Sequence, residues 1–321
     1  MKPHAVLAAA AVALAFAAAP AAAQDYPTRP IRFVNSSVPG GGADVIVRFI
    51  AARVQALAGQ PVVVENKPGA NGAIANDFVV NAKPDGYTVL FAASSAVIAN
   101  RYVMKDVTLD PLKELEPVAS IFRVGLVLTT PTTSPATSLQ ALIAHLKSKP
   151  GKVLYGVPTT STLAASELFK ALTGTKGEPV AYKSMMDAAR DVSSGDIDYT
   201  FVDTTLGVGQ AKAGRLRVIG TSTARRLEAA PDVPTLAESG LAGYEYVNFW
   251  GAWMPAKSPE PAVRKLNAWL VEVANSPEGR KFLIDQAGEV APSTPQELRD
   301  QMIEHDALWR RLVKEAKIEP K

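Results

Sequence analysis

The chain has 321 residues, no cysteine, and a net charge of +3 from 34 basic and 31 acidic side chains. This nearly even charge, without a lysine- or arginine-rich block, argues against a nucleic-acid partner, and the lack of cysteine excludes disulfides. Hydrophobic residues make up 47% of the chain, so a sizeable core can form, and the length predicts two lobes.

Residues 1–23 have the pattern of a secretory signal peptide. A short basic start precedes an apolar run at 5–19, which is short for a membrane span, and the alanines at 21–23 form a small-residue cleavage site. A membrane anchor is the alternative, but the cleavage site favours removal of the segment. We therefore expect a periplasmic chain that begins at Gln24, and we leave the first 23 residues out of the fold.

A glycine turn then lies between a predicted strand and a predicted helix. Residues 31–34 are mostly apolar, residues 38–44 read Val-Pro-Gly-Gly-Gly-Ala-Asp, and residues 45–58 have apolar side chains at helical spacing. Three glycines leave backbone N–H groups unshielded, and a helix start adds about half a positive charge, so the turn suits an anion. The alternative is a plain strand-to-helix turn in which Asp44 is a cap or a first-turn acid.

The spacing of these residues narrows the class of anion. A dinucleotide-binding fingerprint would need glycine at Val45, and a phosphate-binding P-loop would need lysine and a hydroxyl residue where Ala43 and Asp44 follow the last glycine. We therefore do not expect a nucleotide. A carboxylate is the next common biological anion.

The rest of the first half alternates strands with helices, which predicts a mostly parallel sheet. The predicted elements are a strand at 62–64, a helix at 73–82 and a strand at 87–92, which ends at Ser94 and Ser95. Ligands bind beyond the carboxyl ends of strands in such sheets, so the glycine turn and the two serines can face one crevice.

Two long extended stretches, at 118–129 and 244–254, can carry the chain into a second lobe and back. Between them the same pattern repeats, with predicted strands at 153–156, 179–183, 197–202 and 216–220 and predicted helices at 139–146, 163–172 and 186–192. Helices at 261–274, 277–287 and 295–316 are predicted to complete the chain. Two crossing segments between two lobes describe a clamp with a hinge.

The expected fold class is therefore α/β, with two lobes that each contain a mostly parallel sheet flanked by helices, joined by two hinge strands. Lobe 1 is expected to comprise 24–124 and 248–321, and lobe 2 to comprise 125–247. On the second crossing stretch, Trp250 and Trp253 are interpreted as hinge packing rather than as a ligand platform.

Groups suited to catalysis are sparse. The hydroxyl-rich segment at 157–162 can cap a helix or contact a ligand, and the sequence leaves both open. After the signal peptide the only histidines, His145 and His305, lie in predicted helices away from the glycine and serine loops, so neither a metal site nor a hydrolase triad is expected. The segment at 220–224 approaches a nucleophile elbow but ends in alanine. We expect no catalytic residue, no metal and no cofactor.

Several short motifs occur in an order that is specific, although each one is weak alone. They are YPTRPI at 26–31, PGGGAD at 39–44, GQPVVVEN at 59–66, KPGANG at 67–72, PDGYT at 84–88, AYK at 181–183 and DVPTLAESG at 232–240. Through them the whole mature chain resembles the periplasmic substrate-binding proteins of tripartite tricarboxylate transporters, often called the Bug receptors.

The resemblance implies a two-lobed Venus-flytrap receptor, expected to be a monomer, that binds a small di- or tricarboxylate or aromatic acid and delivers it to a two-component membrane permease. It implies that the glycine turn holds a carboxylate through N–H groups and ordered waters, while loops of both lobes close over the rest. A periplasmic sensor that presents the acid to a signalling partner is the alternative. The expected ligand-binding residues are Ser36, Ser37, Pro39, Gly40, Gly41, Ala43, Asp44, Ser94, Ser95, Val157, Thr159, Thr160, Tyr182, Lys183, Ser184, Asp203 and Thr204.

The chain departs from the family pattern around this expected pocket. The family usually has an aromatic residue where Ser37 stands, and a loop rich in glycine, asparagine and serine where this chain has Val157-Pro158-Thr159-Thr160. Prolines are usual at positions 36 and 38, threonine at 43, and glycine at 184. The missing aromatic residue at Ser37 opens space in the pocket, and Val157 and Pro158 make one of its walls more apolar. Both favour a bulkier acid, such as an aromatic carboxylate or a longer dicarboxylate, over aspartate or citrate.

Overall fold

The protein is described here by a computed structural model, which covers residues 26–149, 153–228, 230–285, 289–316 and 318–320. The expected signal peptide at 1–23 lies outside the described residues. Within those ranges no helix is both long and apolar enough to span a membrane.

Strands and helices alternate along most of the chain. The strands are β1 (Ile31–Asn35), β2 (Val62–Asn66), β3 (Thr88–Ala93), β4 (Leu115–Pro131), β5 (Leu154–Val157), β6 (Glu178–Ala181), β7 (Tyr199–Asp203), β8 (Leu216–Thr221), β9 (Val247–Pro255) and β10 (Glu289–Val290). The helices are α1 (Gly42–Ala58), α2 (Ala73–Val80), α3 (Asn100–Val103), α4 (Pro111–Glu114), α5 (Leu139–Lys147), α6 (Thr160–Thr173), α7 (Met185–Ser194), α8 (Thr204–Lys212), α9 (Glu260–Asn275), α10 (Pro277–Asp285) and α11 (Pro295–Ala316). A 3-10 turn at Ala70–Gly72 precedes α2, and a π-helical segment at Ser95–Ala99 precedes α3.

Two groups of parallel strands are joined by the 17-residue strand β4. In the first group β1 lies between β2 and β3, and in the second group β5 lies between β6 and β7. The first part of β4 pairs with β9, and its last part pairs with β7 and β8. We call the β1–β3 group with β9 lobe 1, and the β5–β8 group lobe 2. The predicted class, α/β with two lobes on mostly parallel sheets, is confirmed.

The predicted crossing segments differ in how much of each is a strand. β4 changes partner between Gly125, opposite β9, and Leu126, opposite β7, so it belongs to both lobes. The second segment is a strand only from Val247, and β9 pairs with β3 and β4. Just before it, the Tyr246 N–H donates to the carbonyl of Ser222 in lobe 2 at 2.8 Å. The predicted lobe boundaries at 124/125 and 247/248 stay predictions, and each lies within one residue of the point where these partners change.

The tryptophans of the second crossing segment pack inside lobe 1. Trp253 is fully buried and its Nε1 donates to the sulfur of Met302 in α11 at 3.2 Å. Trp250 is stacked with Phe122 of β4, with ring centroids 6.1 Å apart. Both contacts join the crossing strands to their neighbours, which supports the interpretation of these residues as hinge packing.

Helix α8 is the longest element that the sequence did not predict. Its nine residues, Thr204–Lys212, include two glycines, which weaken a helical pattern. One of them is needed for packing, because a Cβ on Gly207 would collide with Val127 of β4. The side chain of Asp203 caps the helix by accepting from the Leu206 N–H at 2.8 Å. Close packing and a cap thus outweigh the weak local preference.

Candidate functional site

The glycine turn joins the carboxyl end of β1 to the start of α1. The helix begins at Gly42, with Gly41 as its extended N-cap, and Gly40 has a left-handed φ of 75°, which favours glycine. Among the described residues, the N–H groups of Gly42, Ala43 and Asp44 have no acceptor. Unpaired N–H groups at a helix start, together with the helix dipole, form an arrangement that binds anions.

Asp44 is buried beneath this turn. Its carboxylate accepts from Gly40 N–H at 2.8 Å, Arg48 Nε at 2.9 Å, Asn66 Nδ2 at 2.7 Å and Asn35 Nδ2 at 3.2 Å. Burial alone would raise the pKa of Asp44, but the hydrogen bonds from Arg48, Gly40 and Asn66 and the charge of Arg48 lower it to about 2. Both carboxylate oxygens therefore bond to protein atoms and hold the turn in shape, and the charge of Arg48 is directed at Asp44.

We expect Asp44→Asn to lower the free energy of unfolding by about 2 kcal/mol at neutral pH. The pKa is about 2 in the folded chain against an ordinary value of 3.8, so the ionised carboxylate stabilises the fold above the ordinary pKa. That contribution is lost as the pH falls through the folded pKa. Urea unfolding of both proteins between about pH 7 and about pH 2 should therefore show the difference shrinking below about pH 4. A difference that is constant with pH would contradict an ionised Asp44 as its source.

Ser36 and Ser37 come directly before the glycine turn and are bonded to nearby strands. The Ser36 N–H donates to the carbonyl of Phe91 in β3 at 3.1 Å. The Ser37 hydroxyl donates to Asn35 Oδ1 at 2.9 Å, and its carbonyl accepts from Asn66 at 3.1 Å. The Ser37 hydroxyl thus bonds back to the last residue of β1, while Pro39, two residues further along the chain, is exposed.

The two serines after β3 lie beside the hinge end of β9. Ser94 Oγ donates to Asn248 Oδ1 at 2.7 Å and accepts from the Phe249 N–H at 3.2 Å, so it ties β3 to β9. The Ser95 N–H also donates to Asn248, at 3.2 Å, whereas the Ser95 hydroxyl makes no hydrogen bond to another described residue. Asn248 is a residue of this region that was not predicted from the sequence. Its signal is an amide side chain in an otherwise apolar strand.

In lobe 2 the hydroxyl-rich segment has two roles. Thr159 is the N-cap of α6 and forms a reciprocal capping box with Thr162, with the Thr159 N–H donating to Thr162 Oγ1 at 3.1 Å. Thr160 instead reaches lobe 1, where its Oγ1 accepts from Asn71 Nδ2 at 3.1 Å. Helix capping is therefore established for Thr159, and Thr160 is a contact between the lobes.

The remaining predicted residues lie at or just after the ends of β6 and β7, whose carboxyl ends share one edge with that of β5. Ser184 and Asp203 are N-caps, of α7 and α8. Lys183 is exposed, and Tyr182 donates from its hydroxyl to Asp191 at 2.8 Å. Thr204 is buried, and its hydroxyl donates to the carbonyl of Gly125 at 3.2 Å, at the point where β4 changes lobes.

The lobes meet at a depression of about 420 Å³. Its walls are Asn71, Val103 and Met104 of lobe 1 and Val157, Pro158, Thr159, Thr160 and Leu163 of lobe 2. It brings the predicted Val157, Thr159 and Thr160 together with residues that the sequence analysis did not select. A larger cavity of about 800 Å³ includes Arg32 and Thr88, near the amino ends of β1 and β3, so it lies at the opposite end of the sheet from the glycine turn.

Comparisons with known proteins agree with this architecture. The family model described as tripartite tricarboxylate transporter family receptor matches residues 46–318, starting two residues after the end of the glycine turn. BugT of Bordetella pertussis is 32% identical over 308 residues, which are 95% of this chain and 94% of that protein. A Rhodopseudomonas palustris protein solved with adipate has a TM-score of 0.79 and 30% identity, with 92% of this chain and 100% of that one covered.

The periplasmic binding protein BugD is also similar, with a TM-score of 0.75, 25% identity, and coverage of 92% of this chain and 100% of BugD. The family match spans both lobes and the crossing strands, and the relatives align along nearly their whole length. The resemblance drawn from the short motifs is thus confirmed. The chain belongs to the tripartite tricarboxylate transporter receptor family.

Proposed function

We propose that this chain is a periplasmic solute-binding receptor that captures a small organic carboxylate between its lobes and delivers it, as a monomer, to a two-component permease. The observation that carries the proposal is the group of unpaired N–H groups of Gly42, Ala43 and Asp44 at the carboxyl edge of the lobe 1 sheet. Family membership supports the receptor role, and the adipate held by the R. palustris relative supports a carboxylate as ligand. Export rests on the signal-peptide pattern at 1–23.

Neutral donors hold the acid in this proposal. Arg48 is directed at Asp44 and Asn66, and Lys183 is exposed at the end of β6. Each hydrogen bond to a charged group contributes about 1.5–3 kcal/mol, and a micromolar ligand needs about 8 kcal/mol. In the proposal this free energy comes from the N–H groups of the helix start, from its dipole and from hydroxyls at the same carboxyl edge of the sheet, such as that of Ser95.

The proposed receptor does not transform its ligand. Both histidines of the mature chain lie on helices, α5 and α11. His305 packs against the ring of Phe249, with centroids 4.8 Å apart, and burial, helped by the charge of Arg123, lowers its pKa to about 4. It is therefore neutral at pH 7, and among the described residues no hydroxyl donates a hydrogen bond to it, as a nucleophile would to a general base. These facts support binding without turnover.

The depression between the lobes supports an acid with an apolar part. Val103, Met104, Val157, Pro158 and Leu163 supply apolar walls. A short acid with several polar groups would leave these apolar side chains without an apolar surface to pack against. An acid with a longer chain or a ring can bury apolar surface there, which contributes roughly 0.8 kcal/mol per buried methylene group.

A thermal-shift screen against malate, citrate, succinate, adipate, longer dicarboxylates and aromatic acids tests the proposal. A ligand at a hundredfold excess over its dissociation constant should stabilise the fold by about 2.7 kcal/mol, a rise in melting temperature of roughly 5–10 °C. We expect the longer or aromatic acids to give larger shifts than malate or citrate. The best acid should be taken up less by a strain that lacks this receptor, and normal uptake in that strain would refute the delivery role.

A further inference from the structure

The turn Ala70–Gly72 has a backbone that L-amino acids rarely adopt. Ala70 and Asn71 both have positive φ angles, of 45° and 49°. Such a conformation persists where the surroundings hold it. Here the buried Asn100 does so, because its Nδ2 donates to the Asn71 carbonyl at 3.0 Å and its Oδ1 accepts from Asn71 Nδ2 at 2.7 Å.

The held conformation aims the side chain of Asn71 at the other lobe. The amide nitrogen of asparagine carries two hydrogens, and Asn71 Nδ2 has two acceptors, Asn100 Oδ1 within lobe 1 and Thr160 Oγ1 at 3.1 Å in lobe 2. Thr160 is the first residue of α6, beside the depression between the lobes. The same turn also touches the ligand side of lobe 1, since a Cβ on Gly72 would lie 3.3 Å from the Cβ of Ser36.

We infer that Asn71 is a closure latch, a positioning residue whose amide bonds to Thr160 only when the lobes are closed. Asn100 fixes the amide in advance, so closing the lobes forms the bond without ordering a mobile side chain. The latch therefore raises the closed fraction of the receptor before and after the acid enters. This inference rests on the proposed capture between lobes, but it concerns the lobes alone and is measured without ligand.

The experiment measures the distance between the lobes in the mature protein. The chain has no cysteine, so Val45→Cys in α1 and Met186→Cys in α7, both at exposed positions on different lobes, give unique spin-label sites. Pulsed electron paramagnetic resonance then compares this background with Thr160→Val, Asn71→Gly and the double variant. Glycine suits the positive φ of residue 71, and valine keeps the shape of threonine without its acceptor oxygen.

We expect each single variant to lower the ratio of closed to open distances about two- to tenfold, as the loss of one hydrogen bond predicts. The double variant should be no more open than either single variant, and Thr160→Ser, which keeps the hydroxyl, should match the background. A purely structural role for Asn71 would lower the melting temperature without changing the distances. Unchanged distances in Thr160→Val, or effects that multiply in the double variant, would overturn the latch. The distances are measured without any acid, so the result does not depend on whether the proposed ligand is correct.

Discussion

Gly42→Pro should weaken binding of the captured acid about ten- to a hundredfold while leaving the fold intact. The substitution removes one of the unpaired N–H groups at the start of α1, and a hydrogen bond to a carboxylate contributes about 1.5–3 kcal/mol. Proline is well tolerated at the first position of a helix, and the preceding Gly41 already has the extended backbone, with ψ 164°, that a residue before proline requires.

Gly42→Ala is the matched control for this change. Both variants add a Cβ, which would meet nothing within 4 Å, but alanine keeps the N–H group. The affinity ratio between the two variants, measured by titration calorimetry with the acid that gives the largest thermal shift, therefore isolates the donor. Equal affinities would mean that the helix start does not hold the carboxylate.

Asp306→Ala should be the most destabilising of these substitutions, with a loss of about 3 kcal/mol in the free energy of unfolding. Asp306 is buried on α11 and accepts from Arg101, from the hydroxyl of Tyr102 at 2.7 Å and from Arg310 at 2.9 Å. Removing it leaves Arg101, itself largely buried, with Asp110 as its one acidic partner among the described residues. The network joins α3 to α11. Helix α11 in turn packs against β4, the strand that runs through both lobes.

An exposed ion pair on α10, the helix before α11 in the chain, provides a control for the effect of burial. Lys281 and Asp285 of α10 lie 2.7 Å apart, and their side chains are 77% and 56% exposed. Such pairs contribute about 0–1 kcal/mol, so Asp285→Ala should change stability little. Urea unfolding measures both variants. Similar losses for the two would contradict the importance of burial and of the shared network around Asp306.

The sequence predicted the parts of the fold that have strong local patterns. Strand β1, the glycine turn and α1 follow from an apolar run, three glycines and helical periodicity, and the structure differs only in extending β1 to Asn35 and in starting α1 at Gly42. Helix α8 was missed because Gly207 and Gly209 weaken its local signal, whereas its packing on β4 depends on residues far away in the chain.

The candidate site was harder to predict for the same reason. Hydroxyl and carboxyl residues before helices have the same pattern whether they cap or bind, and Thr159, Ser184 and Asp203 all cap. The asparagines that organise the site act over long separations. Asn71 bonds to Thr160, 89 positions away, and Asn248 bonds to Ser94, 154 positions away, so a single sequence does not show either pairing.

Small-angle X-ray scattering of the mature protein, with and without the best acid of the thermal-shift screen, tests the central claim most directly. Capture between two lobes requires that saturation with the acid shift the population towards the closed arrangement, so the radius of gyration should fall. A receptor that binds the acid to saturation, by calorimetry, with no decrease in its radius of gyration would contradict capture by closure of the lobes.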